Sequence, residues 1–202
     1  DDFSGAGLAR INLGLTDIGF MLGGFHTDTV LGSFVTTDFR GTGIRGELSY
    51  TESGDPEDAE IDREHFVRAT IGVDRQLTGR LNLTAEAAWN GFGADDASGY
   101  ARIAQSDRFQ RGEVNSVGQL YAGVSLGWQL HPLVSASAAL IANLDDGSAL
   151  VQPNLSWSVS DSLTALFGVF VGTGDGFDSE GRLQSEYGAT PLSVWAAIQG
   201  YF

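Results

Sequence analysis

One feature constrains this chain more than any other: apolar and polar residues alternate with a period of two along nearly its whole length. Ala9, Ile11, Leu13 and Leu15 alternate with Arg10, Asn12 and Gly14. Ile18, Phe20 and Leu22 alternate with Gly19, Met21 and Gly23, and Ile44, Gly46, Leu48 and Tyr50 with Arg45, Glu47 and Ser49. The same holds for Val67 to Val73, Leu81 to Trp89, Leu120 to Leu130, Val134 to Ala142, Val151 to Val159, Leu163 to Val171 and Leu192 to Phe202. Successive side chains of a strand point to opposite faces, so the pattern specifies strands and not helices. Thr29 to Phe39 also reads as a strand. Its facing stays open, because Val30/Gly32/Phe34 and Leu31/Ser33/Val35 suit the apolar face equally. Most segments reach roughly 10–13 residues. That is longer than an ordinary strand and near the 9–11 residues that cross a bilayer at a tilt.

The spacing between segments carries a second signal. Residues facing each other across a hairpin lie on one side of the sheet. Leu77 and Leu81 therefore leave three connecting residues, Thr78-Gly79-Arg80. Leu130 and Val134 leave His131-Pro132-Leu133, and Val159 and Leu163 leave Ser160-Asp161-Ser162. At the opposite ends the connections are 53–64, 93–117, 145–150 and 174–190. Short and long connections alternate, as in an up-and-down barrel with tight turns at one rim and loops at the other.

The last strand runs Leu-Ser-Val-Trp-Ala-Ala-Ile-Gln-Gly-Tyr-Phe, with Val194, Ala196, Ile198, Gly200 and Phe202 on one face. An aromatic-ended final strand of this kind resembles the C-terminal strand of bacterial outer-membrane β-barrels of the porin type. The resemblance implies a Gram-negative outer membrane, a lipid surround, and recognition of that strand by the barrel-assembly machinery.

Periodicity alone leaves open whether the apolar face meets a protein core or lipid. Four observations favour lipid. The polar face is Ser, Thr, Asn, Gln and Gly, the strands are long and uniform, and charges collect in the long connections. Trp128, Trp157 and Phe202 also fall at the short-turn ends, while Trp89 and Tyr50 fall near the long-loop ends, as two aromatic girdles. The expected fold is an all-β, antiparallel, up-and-down transmembrane barrel of about 10–12 strands. It occupies residues 1–202 as one domain, with 1–7 an irregular N-terminal segment.

Composition narrows the partners. The net charge is −15 and all eleven basic residues are Arg. Nucleic acid needs a basic footprint and is excluded. There is no cysteine, which suits export without a disulfide framework. No run of about 18 apolar residues is present, which excludes a membrane-spanning helix but not a barrel. The start at Asp1-Asp2 carries no signal-peptide pattern, so a mature, trimmed or engineered form is expected.

Eleven alternating segments sit badly with the even strand number of single-chain bacterial barrels. Three resolutions stand. The segment 8–15 is not a separate strand, or a twelfth strand hides in 93–117. Alternatively, missing N-terminal strands or an additional chain complete the barrel.

Candidate site residues lie on the polar face: Arg10, Arg45, Glu47, Arg68, Asp74 and Glu86. With the register above, Glu86 faces Gly72 and Asp74 lies diagonally from it. Such charges either tie the wall together as a buried network or set ion selectivity in a channel. The second half of the wall is lined by small neutral residues. The acidic stretch Asp55 to Glu64 matches no calcium-loop spacing and reads as a solvated loop. Gly174 to Glu180 lacks the EF-hand pattern as well. His26, His65 and His131 show no nucleophile–base spacing. The reading is a passive channel for ions or small polar solutes, not an enzyme, with no cofactor and no metal. The alternatives are a structural or adhesive barrel that binds partners through acidic loops, and, by the resemblance, a barrel protease or lipase.

Overall fold

The structure is a computed structural model, and it describes residues 4–55, 57–58 and 61–201. Among them eleven strands form a single sheet: β1 (Gly5–Leu13), β2 (Thr16–Phe25), β3 (Asp28–Phe39), β4 (Thr42–Glu52), β5 (His65–Thr78), β6 (Leu81–Asn90), β7 (Leu120–His131), β8 (Val134–Asn143), β9 (Ala149–Ser160), β10 (Leu163–Thr173) and β11 (Ser193–Gly200). Each strand pairs antiparallel with its neighbours in the chain, so the sheet is an uninterrupted meander. The all-β, up-and-down architecture expected from alternation is what the chain adopts.

The register keeps the two faces separate from strand to strand. One line runs Ile11, Ile18, Val35, Gly46, Ile71, Ala87 and Ala122. A second runs Arg45, Gly72, Glu86, Gly123 and Ile141 on the other face. A one-residue slip at any hairpin would move a polar row into the apolar face. The facing of β3 is now settled: Leu31, Ser33 and Val35 share the apolar face with Leu22, Phe20 and Ile18.

That apolar face is convex and open to the surroundings. Val124, Leu126, Leu155 and Phe167 stay 39, 43, 38 and 46% exposed. A water-soluble sandwich would bury such positions between its sheets. Here the buried apolar cluster lies elsewhere, in the long connections and the start of β5: Ile61, Phe66, Phe92, Ala94, Tyr100, Ile103, Val114 and Val117.

Five two-residue turns occupy one rim: Gly14–Leu15, Arg40–Gly41, Gly79–Arg80, Pro132–Leu133 and Asp161–Ser162. Arg40 and Gly41 both have positive φ, 55° and 76°, the combination a type I′ hairpin requires. Three hairpins differ from the expected three-residue loops. Their strands close at two residues, and a bulge beside the turn absorbs the third, between Gln76 and Thr78, Gln129 and His131, and Leu163 and Thr164. At the opposite rim β2 and β3 are also joined tightly, through His26–Thr27, so long connections begin only after β4.

Two further expectations need correction. Residues 5–7 are not irregular, since Gly5, Ala6 and Gly7 already pair with Gly24, Gly23 and Leu22. Residues 8–13 of the segment 8–15 belong to a true strand, β1, and 93–117 contributes helices and one isolated bridge, Ala94 to Gly118, instead of a twelfth strand. The helices are α1 (Ala97–Gln105) and α2 (Asp107–Gln110).

The two faces differ in what they tolerate, and this can be measured. Val124→Arg places a guanidinium on the convex face near the middle of β7 and should cost about 2–4 kcal/mol in lipid. Ser125→Arg, one residue on but facing the concave side, should cost far less. Denaturant unfolding in lipid vesicles compares them, and equal costs would contradict the assignment of faces.

Candidate functional site

The concave wall carries a charge ladder built across three strands. Arg45 on β4 reaches over β5 to Glu86 on β6, with Nη2 donating to Oε2 at 2.7 Å. Its Nη1 lies 3.7 Å from Oδ1 of Asp74 on β5. The reach depends on Gly72, which sits between Arg45 and Glu86 in the register. A Cβ at Gly72 would come within 2.9 Å of the Arg45 guanidinium. A glycine inside a strand often marks such a close approach.

The other expected wall residues lie apart from this triad. Arg10 on β1 pairs with Asp17 on β2 at 2.6 Å, and Asn12 donates to the same carboxylate at 2.8 Å. Glu47 lies on the concave face between Phe34 and Thr70. Arg68 is drawn upward: its Nη1 donates to the Glu113 carbonyl at 3.2 Å, and its guanidinium stacks over Phe66. The network around Glu86 is thus formed by Arg45 and Asp74. The second half of the wall is not lined by small neutral residues alone. Tyr121, Ile141, Leu166, Phe170 and Trp195 share its face, and the Trp195 indole lies over Gly168.

On the convex face Tyr50 and Trp89 sit near the long-loop rim, while Trp128 and Trp157 sit near the short-turn rim, all partly exposed. Val194, Ala196, Ile198 and Gly200 face the same way, opposite Val169, Phe167, Ala165 and Leu163. Phe202 lies outside the described residues. The histidines are not gathered into one place. His26 opens the β2–β3 turn and its N–H donates to Ser4 Oγ, while His65 begins β5 opposite Glu52. His131 is at the far rim, where Nδ1 accepts from the Leu133 N–H.

The largest departure from expectation is the cap at the long-loop rim. The connection 93–117 is helical in part: Asp96 caps α1 by accepting from the Ser98 N–H at 2.8 Å. Tyr100 and Ile103, three residues apart on one helical face, are buried in the cap cluster. The Ser106 hydroxyl then donates to the Ile103 carbonyl and accepts from the Phe109 N–H, joining α1 to α2.

At the centre of the cap is Arg108, 4% exposed. Its Nη2 donates to Asp28 at 2.7 Å and to Ser53 Oγ at 2.8 Å, its Nε to Asp58, and its Nη1 to Asp28 and to Glu113 at 3.0 Å. Phe66 and Phe92 meet edge to face, 5.2 Å between centroids, and both rings approach the guanidinium. Burial pulls the guanidinium pKa down, but the hydrogen bonds and charges of Asp28 and Asp58 reverse this, so it is raised and the cation is fixed. Arg63 adds bonds to the carbonyls of Phe92 and Gly93. The acidic stretch 55–64 is therefore not simply solvated, since Asp58 and Ile61 are buried against this centre.

A second polar knot ties in the remaining connections. Tyr100 donates to Asp146 at 2.9 Å, and Tyr121 and Asn143 donate to Glu186 at 2.6 and 2.8 Å. The Glu186 N–H donates to Asp146 at 2.8 Å. Burial raises the Glu186 carboxyl above its ordinary range, against the pull of Tyr121 and Asn143. Burial also acts to raise Asp146, but donors from Ser148, Glu186 and Tyr100 outweigh it and hold that carboxyl low. The cap grips the wall through residues on the concave face: Arg68, Asn90, Tyr121 and Asn143. It is folded inward over the mouth of the sheet.

The fold defines a class, the all-β up-and-down meander, with eleven antiparallel strands among the described residues. No protein-family model matches the sequence, and no curated protein matches it. Among solved structures, outer membrane phospholipase A from Escherichia coli is similar at 11% identity and a TM-score of 0.45, over 98% of this chain and 77% of that one. A NanC porin is similar at 7% identity and a TM-score of 0.42, over 98% of this chain and 93% of that one. These likenesses concern the fold. One of the two similar proteins is a phospholipase, an enzyme, and with it the expectation that the chain is not an enzyme is withdrawn.

Two outcomes test the cap. Arg108→Ala leaves the buried Asp28 and Asp58 carboxylates without their cation, and should weaken the cap by about 3–5 kcal/mol. Hydrogen exchange across 91–119 should quicken while the strands keep their protection. The second concerns Glu186. A raised carboxyl binds its proton more tightly in the folded cap, so its contribution favours folding at low pH and is lost as pH rises through its folded pKa. Asp146 acts oppositely, losing its contribution as pH falls through its depressed pKa. Glu186→Gln keeps an acceptor for Tyr121 and Asn143, so at pH 8 exchange across 174–190 should be no faster than in the parent. Glu186→Ala strands both donors and should cost about 1–3 kcal/mol.

Proposed function

We propose that the chain forms the wall of a passive outer-membrane channel for ions or small polar solutes, narrowed at one mouth by the inward-folded cap. The observation that carries this reading is the segregation of the two faces. The convex face offers Val, Leu, Ile and Phe to hydrocarbon, while the concave face holds ionised side chains that need water or one another. A wall that had only to fill itself would not require the Arg45–Asp74–Glu86 ladder.

The sign of the charge sets the expected selectivity. Asp17, Glu47, Asp74 and Glu86 stand on the concave face against Arg10, Arg45 and Arg68. The whole chain carries −15. Rings of carboxylate favour cations, and buried or confined charges are screened less than exposed ones. Cations are therefore the preferred traffic.

Conductance in planar bilayers decides the matter. Discrete steps with a cation-side reversal potential are expected in a salt gradient, and Arg45→Ala should move that potential further toward the cation limit. A folded barrel that stays silent, with and without residues 97–110, would remove the channel reading.

A further inference from the structure

We infer that the concave wall carries, just beneath the cap, a binding site for a zwitterion with an apolar body, an apolar amino acid or short peptide, in which Arg68 takes the carboxylate and Glu47 the ammonium. The site belongs to the channel proposed above and rests on that reading in one respect, the concave face being the one open to water. Register sets the two charges side by side. Glu47 on β4 pairs with Thr70 on β5, and Ser49 pairs with Arg68. Glu47 and Arg68 are therefore diagonal neighbours, about 7–8 Å apart at the backbone. Long side chains on such a diagonal can reach one another, yet no ion pair within 4 Å joins these two. Arg68 is drawn up to the Glu113 carbonyl and over the Phe66 ring, and spends one of its five N–H donors there. Arg45, two residues from Glu47 on the same face, is committed to Glu86 and Asp74. Among the described residues nothing donates to the Glu47 carboxylate, and the Ser49 and Thr70 hydroxyls have no hydrogen bond either.

These four polar groups border a hollow of about 470 Å³ whose other side is apolar, formed by Met21 and Phe34. That volume is in the range of small-molecule sites, which pair apolar walls with a few placed polar groups. Two strand glycines make the room. The Phe34 ring lies back over Gly19, and the Met21 methyl lies over Gly32, 3.4 Å from where a Cβ would stand. Both apolar side chains thus lie along the sheet, and the ground between β3 and β5 stays open.

The pairing of charges selects the ligand. A simple anion gains Arg68 but meets Glu47 beside it, and a simple cation meets the reverse. A molecule with both charges gains at each end, and its zero net charge gives the −15 of the chain nothing to repel. The guanidinium fork suits a carboxylate in two parallel hydrogen bonds, and charges confined under the cap are screened less than exposed ones. Orientation follows from strand direction. β5 descends from the long-loop rim, so Arg68 stands nearer the cap than Glu47 does. The bound carboxylate points toward the cap and the ammonium toward the short-turn rim, with the apolar body on Met21 and Phe34.

Three probes separate the two ends: leucine, isocaproate (leucine without its ammonium) and isoamylamine (leucine without its carboxylate). Saturation-transfer NMR on the full chain folded in detergent micelles, with protein-free micelles as the blank, gives the three dissociation constants. Leucine should bind at least about tenfold more tightly than either relative, the scale of one charge-assisted hydrogen bond. Glu47→Gln should bring leucine to the affinity of isocaproate and leave isocaproate unweakened. Arg68→Gln should bring leucine to the affinity of isoamylamine. Arg68 also holds the cap, so Glu47→Gln, which breaks no bond to the cap, decides the matter if Arg68→Gln does not fold. Absence of leucine binding, equal affinity for leucine and isocaproate, or an unchanged leucine affinity in Glu47→Gln would each overturn the site. Conductance is read separately. A conducting protein that binds no leucine loses the site and keeps the channel, whereas a silent one that shows this binding pattern keeps the site and loses the channel.

Discussion

Everything in this molecule depends on the pleat of an antiparallel strand, which turns alternate side chains to opposite sides of one sheet. Because the pairing register is continuous from β1 to β11, that local rule becomes a global one, with one surface apolar and the other polar. The backbone hydrogen bonds do not choose between a soluble and a membrane protein. The choice comes from what the apolar surface meets. Among the described residues the sheet buries almost none of that surface, and no second layer covers it. On the proposed reading the stabilising environment comes from outside the protein, and lipid is the environment that suits Val, Leu and Phe on a convex wall.

The cap follows a different logic. At the long-loop rim the chain leaves the plan of the sheet and builds a small core with its own cluster of Phe66, Phe92, Tyr100 and Ile103. A core of that size cannot be strong by burial alone. Arg108 supplies the rest, gathering Asp28 from the β2–β3 rim, Asp58 and Ser53 from the next connection, and Glu113 from its own. Its five donors in a planar fork suit several acceptors at once, as a lysine ammonium does not. Three connections far apart in sequence are thereby held by one side chain. The Glu186–Asn143–Tyr121 knot does the same for the later strands.

How much of this was legible beforehand follows from the range of the interactions. Alternation is local, so the strands, their facing and the uneven rims could be read from residues two apart. The opposition of Gly72 and Glu86 followed from one hairpin. The open facing of β3 shows the limit. Val30/Gly32/Phe34 and Leu31/Ser33/Val35 are equally greasy, and only pairing with β2 and β4 separates them. The two-residue turns with adjoining bulges were misjudged by one residue, because a bulge shifts parity without changing composition. Arg108 carries no local signal, because its partners lie 50 and 80 positions away, a separation no periodicity reports. One local signal was present: Asp96 and Ser98, followed by Tyr100, Ile103 and Ala104 at helical spacing, begin a short amphipathic helix within a chain otherwise built of strands.

The division between wall and cap has a consequence for how the molecule can vary. Wall positions are coupled by register, since inserting one residue in a strand reverses every side chain beyond it. Cap positions are coupled by charge, because each carboxylate around Arg108 is stabilised by a cation shared with the others. The two systems meet at few points, chiefly Arg68, Asn90, Tyr121 and Asn143 on the upper concave face. Gly72 shows how narrow the tolerance is within the wall. Arg45 crosses β5 to reach Glu86 because the residue beneath it has no side chain, so the ladder of charges and the strand that carries it must be specified together. The outer mouth carries no such requirement. Its connections are held by side chains and not by strand register, and that separates the chemistry of the opening from the pairing of the sheet that supports it.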